Sequence, residues 1–97
     1  MVTIKEFRDS LTADAPRPMS IYLLALWYDG RGDWEAAHDL VNEMDSPQAA
    51  WVHAYLHRKE GDIANARYWY GRAGKKFPQA SLEDEWAAIA TALLSEE

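Results

Sequence analysis

An all-α domain of about six helices is the fold class this sequence predicts. Apolar residues recur at helical spacing along most of its length. Capping residues, glycines and prolines punctuate those stretches at short intervals. No segment shows the strict alternation of a half-buried strand.

The elements follow in order. Thr3 and Glu6 have capping-box spacing, and Ile4, Phe7 and Leu11 continue it at helical intervals. Pro16 and Pro18 break this first helix, because proline disfavours helix in the residue before it. Pro18 suits the first turn of a second helix running to about Tyr28, which Gly30 and Gly32 end. Asp33 caps a third helix over about 34–44, with Ala37, Leu40, Val41 and Met44 as its stripe. Ser46 and Pro47 start a fourth, to about Lys59. Gly61 ends it and Asp62 caps the fifth, where Ile63, Ala66, Tyr70 and Ala73 keep the spacing and Pro78 closes the segment. Ser81 and Asp84 open a sixth, carrying Leu82, Trp86, Ile89 and Leu93.

The chain also repeats at an offset of 29. Ala25, Gly32, Asp33 and Ala37 match Ala54, Gly61, Asp62 and Ala66. Each unit is a helix, a Gly-Asp turn and a second helix, with small residues where the two would cross closely. A hairpin of this kind cannot bury its apolar face alone, so hairpins stack. The pattern resembles the tetratricopeptide repeat and, less closely, Sel1-like repeats. Ala54, Gly61, Ala66, Tyr70, Ala73 and Pro78 fall on that motif, whereas the first unit departs from it at Met44 and in its short loop. The run from His53 to Pro78 resembles the signature of a family with no activity attached. The chain length is that of one domain, over 1–97: an N-terminal helix and turn (1–17), two hairpins (18–46 and 47–78) and a C-terminal capping helix (79–97); the resemblance implies that the hairpins form a right-handed superhelix.

Composition narrows the function. Of 97 residues, 48% are hydrophobic and 27% charged, which is ordinary for a globular domain. The lack of Cys excludes disulfides, a thiolate zinc site and a cysteine nucleophile. No apolar run approaches membrane-spanning length, and the N-terminal residues lack the order of a secretory leader, so the expectation is a cytoplasmic protein. A net charge of −6 disfavours nucleic-acid binding. That charge is uneven: −5 over 1–50, +4 over 51–78 and −5 over 79–97. The phosphate-loop, dinucleotide and nucleophile-elbow motifs are missing, so no enzyme and no cofactor are expected.

Two groups of residues are candidates for function. In tetratricopeptide proteins one face of each first helix lines a groove for extended peptides. The resemblance puts Met19, Tyr22, Leu26 and Asp29, then Gln48, Trp51, Tyr55, Arg58 and Lys59, on that face. Aromatic anchors beside Arg and Lys suit an acidic peptide or a C-terminal carboxylate. The expected function is thus a small protein–protein interaction module. Core burial of these residues, filling of the face by the first or last helix, and homodimerisation are the competing readings.

The second group is His38, His53 and His57. His53 and His57 share a helix face at i, i+4, and an antiparallel turn at Ser46 brings His38 level with them. A buried polar cluster is the leading reading and a metal or small-molecule site the alternative. HAYLH lacks the Glu of HExxH. Of the remaining residues, Tyr70 is expected in the core and Tyr68 outside. Arg67, Arg72, Lys75 and Lys76 lie on or just after the fifth helix, where Lys75 and Lys76 complement its C-terminal dipole. Glu83, Asp84 and Glu85 read as the favourable acidic start of the sixth.

Overall fold

The computed structural model describes residues 2–16 and 18–96. Six α-helices and no strand occur among them. They are α1 (Ile4–Asp9), α2 (Ile21–Gly30), α3 (Trp34–Val41), α4 (Pro47–Glu60), α5 (Ile63–Ala73) and α6 (Leu82–Ser95). A short 3₁₀ turn, Ser10–Thr12, extends α1. No helix among the described residues is long and apolar enough to cross a membrane.

Local chemistry explains most boundaries. The Thr3–Glu6 capping box forms in full. Asp33, Ser46, Asp62 and Ser81 each accept a backbone N–H of the first turn of α3, α4, α5 and α6. Gly61 closes α4 with φ at +92°, and the Gly61 and Asp62 N–H groups turn back onto the Arg58 and His57 carbonyls. Two boundaries differ from expectation. Helix α2 begins at Ile21 rather than at Pro18, because the Ser20 hydroxyl caps it by accepting from Leu23 N–H. Helix α3 stops at Val41 rather than near Met44, which instead closes a turn onto the Val41 carbonyl.

Helices pair in the order of the chain: α2 packs on α3, α4 on α5, and α3 on α4. Ala25 and Ala37 in the first pair are fully buried, as are Ala54 and Ala66 in the second. Methyl groups let the backbones approach where larger side chains would hold them apart. The main core joins Phe7, Leu23, Leu26, Trp27, Val41, Val52, Leu56, Trp86 and Ile89; Ala54, Ala66 and Tyr70 form a smaller one. The N-terminal segment is tied to α2 by Trp27 Nε1–H, which donates to the Ser10 carbonyl at 3.2 Å. The Arg31 guanidinium donates to the Leu11 and Ala13 carbonyls.

The last helix packs on more than the second pair. It lies across α2 and α4 and touches α1, so it bridges both pairs. Gly30 permits the approach: a Cβ there would stand 2.9 Å from Leu11 and 3.2 Å from the Trp86 ring. The packing at the small residues has a direct test. Ala66→Leu overpacks the α4–α5 crossing and is expected to lower stability by roughly 1–3 kcal/mol, read as an earlier urea midpoint. An unchanged midpoint would contradict close packing there.

Candidate functional site

The face formed by α2 and α4 is occupied by the chain's own α6. Leu26 is fully buried, and its carbonyl accepts from Trp86 Nε1–H at 3.0 Å. Glu85, only 4% exposed, inserts its carboxylate among three donors. Trp51 Nε1–H reaches it at 3.3 Å and Arg58 Nη1 at 2.9 Å. Tyr70 OH, 2.6 and 2.8 Å from the two carboxylate oxygens, donates to the same group. The expected preference of Trp51 and Arg58 for a carboxylate is thus met inside the molecule. Arg58 also donates to the Ala80 carbonyl, and Lys75 Nζ lies over the Trp51 ring, 4.3 Å from its centroid.

The other candidate groove residues divide. Asp29 is buried, with one oxygen accepting from Tyr55 OH and the other from Lys59 Nζ, both at 2.9 Å. Tyr55 is buried too, and burial, then the Asp29 charge, raises its phenol far above the ordinary range. Burial, then the hydrogen bond to Glu85, does the same to Tyr70. Tyr22 is half-buried and accepts from the Ser46 hydroxyl. Met19 is half-buried at the core's edge, while Gln48 donates to Glu96 on the surface. Of the nine candidate groove residues, Lys59 alone is exposed.

An open cleft of about 340 Å³ remains where α6 begins. Asp29, Tyr55 and Lys59 from the groove line it with Arg8, Leu11, Leu82, Glu83 and Trp86.

The three histidines converge between α3, α4 and α5. One ring nitrogen from each lies within 4.8 Å of the others. His38 Nε2 and His53 Nε2 stand 3.1 Å apart. His57 Nδ1 lies 2.6 Å from a Glu60 carboxylate oxygen, so this nitrogen carries the proton and donates. Trp34 stacks on His38 with centroids 4.8 Å apart, and Trp69 stacks on His53 at 4.1 Å. Trp34 is itself anchored by a 2.8 Å bond from its Nε1–H to the Leu56 carbonyl. His53 is 2% exposed, and its Nδ1 has no hydrogen-bond partner. Burial, then the neighbouring His57 and His38, lowers His53 from 6.5 to about 4. Burial, then His57, also lowers His38.

Of the remaining residues, Tyr68 is exposed and Tyr70 is in the core, as expected. Trp69 packs against a histidine. Glu85 corrects the reading of the three acids. Glu83 and Asp84 do face solvent at the helix start, but Glu85 is the buried anchor of α6. A signal for this exists: Leu82, Glu85, Trp86 and Ile89 stand at i, i+3, i+4 and i+7, which places Glu85 on the apolar stripe.

Comparison of the chain with family models, with curated proteins and with solved structures gives no match.

Removing the Glu85 carboxylate leaves the Arg58 charge and two further donors without their acceptor. Glu85→Ala is therefore expected to cost about 3–5 kcal/mol in urea unfolding. Glu83→Ala, at an exposed position, is expected within about 0.5 kcal/mol of the parent. Comparable losses in the two variants would remove Glu85 from its anchoring role.

A pH dependence follows from His53. The fold holds this ring neutral, whereas the unfolded chain protonates it near 6.5. Below that pH the unfolded state binds more protons, so stability is full above about 6.5 and falls as pH drops toward about 4. The loss is on the order of 1–3 kcal/mol. Urea midpoints in EDTA at stepped pH should show it, with a flatter profile in His53→Leu. Parallel profiles would refute the assignment.

Proposed function

We propose that this chain is a small, non-catalytic protein–protein interaction module of tetratricopeptide-like architecture. It takes a short partner segment in the cleft beside the start of α6. The observation that carries this reading is the open cleft of about 340 Å³ that α6 leaves over Asp29, Tyr55 and Lys59. That volume lies at the small end of ligand pockets, the size for one or two side chains. Leu11, Leu82 and Trp86 supply apolar contact, and Arg8 and Lys59 supply cations. Lys59 spends one donor on Asp29 at 2.9 Å and retains others for an incoming carboxylate. Glu83, also on the lining, favours a peptide whose negative charge is placed at one end near Arg8 and Lys59.

The groove residues Trp51 and Arg58 have a supporting part in this reading. They hold Glu85, so their substitution acts on the fold before it acts on a partner.

The test is an NMR titration of the labelled protein with five-residue peptides of apolar character, each as free C-terminal acid and as amide. Free acids are expected to shift the Trp86 indole and Gly30 signals and to bind at least about fivefold more tightly than the amides. Arg8→Glu, at an exposed position, is expected to abolish that preference while stability stays within about 0.5 kcal/mol. Absence of shifts with every peptide, or equal binding of acid and amide, would refute the cleft as the binding site.

A further inference from the structure

We infer that His38, His53 and His57 form a binding site for a borderline divalent transition metal, of which Zn²⁺ is the representative. This inference stands apart from the cleft beside α6 and does not rest on it.

Geometry is the first support. Tetrahedral zinc holds imidazole nitrogens at roughly 2.0–2.1 Å, so two ligating nitrogens stand about 3.3 Å from each other. His38 Nε2 and His53 Nε2 are already 3.1 Å apart. The other gaps between the three ring nitrogens are no longer than 4.8 Å. Three nitrogens fill three positions and leave a fourth for water or another donor.

The protonation pattern is the second support. Two Nε2 atoms facing each other at 3.1 Å share at most one proton, so one of them presents a lone pair to the other.

The surroundings are the third. Glu60 accepts from His57 Nδ1–H at 2.6 Å, which fixes one tautomer and leaves the lone pair on the other nitrogen. A carboxylate behind a ligating histidine is the usual outer support of such sites. Its negative charge also offsets part of the metal's. Trp34 and Trp69 flank the rings, restrict their rotation and keep water from two sides. The donor set is imidazole, which suits zinc, copper and nickel and does not suit magnesium or calcium.

The experiment uses tag-free protein freed of metal with EDTA, and titrates ZnCl2, NiCl2 and MgCl2 by calorimetry and thermal melts. One Zn²⁺ per chain is expected, with a Kd at or below about 10 µM. Saturating Zn²⁺ should raise Tm by at least about 5 °C, while Mg²⁺ leaves it unchanged. His38→Gln, at a half-buried position, should keep the melting curve of the metal-free protein and lose at least about tenfold in Zn²⁺ affinity. Glu60→Gln should lose about tenfold through the outer support. Co²⁺ in place of Zn²⁺ should give the visible absorption of a tetrahedral complex, which a merely structural histidine cluster would not produce. A Zn²⁺ Kd above about 10 µM in the parent overturns the inference. So does affinity unchanged in both His38→Gln and His53→Gln, because zinc would then sit elsewhere.

Discussion

The buried carboxylate of Glu85 organises this molecule. Taking a carboxylate out of water costs several kcal/mol, and that cost is offset only where donors and a countercharge are already in place. Trp51 and Arg58 on α4 and Tyr70 on α5 meet the requirement together, which an isolated α4 could not do. An apolar stripe on α6 could slide along α2 and α4 at little penalty. A buried charge held by three directional donors admits one register. From that register the rest follows: Trp86, the next residue, reaches the Leu26 carbonyl on α2, and Phe7 from α1 stacks on Trp86 at 5.5 Å. Four helices are thereby tied through two consecutive residues.

Small residues make that arrangement possible. Ala25 and Ala37, then Ala54 and Ala66, occupy corresponding places in the two helix pairs, all with no exposed surface. Close pairing of α4 with α5 carries Tyr70 toward Glu85, and close pairing of α2 with α6 depends on Gly30. The same economy of space assembles the histidines. Five residues, 42–46, connect α3 to α4, so His38 returns opposite His53 and the stripe of α4 that also carries His57. Helix α5 then lays Trp69 against His53.

The two regions with chemistry to offer have opposite character. The cleft beside α6 is open and bordered by charges of both signs, so its energetics are those of a wet, screened surface. The histidine cluster is roofed by indole rings and short of hydrogen-bond partners, so electrostatic effects there are large per group. They also rest on different elements. Helices α1, α2, α4 and α6 shape the cleft, whereas α3, α4 and α5 shape the cluster, and only α4 is common to both.

What the amino-acid sequence determined by itself is what short-range chemistry controls. Helix starts at Thr3, Asp33, Ser46, Asp62 and Ser81 and the stop at Gly61 depend on hydrogen bonds within a few residues and on φ. They are therefore readable from residue type and spacing. The closeness of the three histidines was also within reach, because one short turn sets it. The start of α2 was less so, since the Ser20 cap and Pro18 offered competing local signals. The fate of the α2–α4 face was settled only in the tertiary structure. The residues chosen for a groove, Leu26, Asp29, Trp51, Tyr55 and Arg58, have the chemistry of a carboxylate-bearing helix receptor whichever helix fills it. That α6 fills it depends on Glu85 finding Arg58 and Tyr70, 27 and 15 residues away in sequence, and on Trp86 finding Leu26, 60 residues away. Spacing along one helix can mark a carboxylate as lying on the buried stripe. It cannot name the donors that receive it, because those are fixed by how separate helices cross.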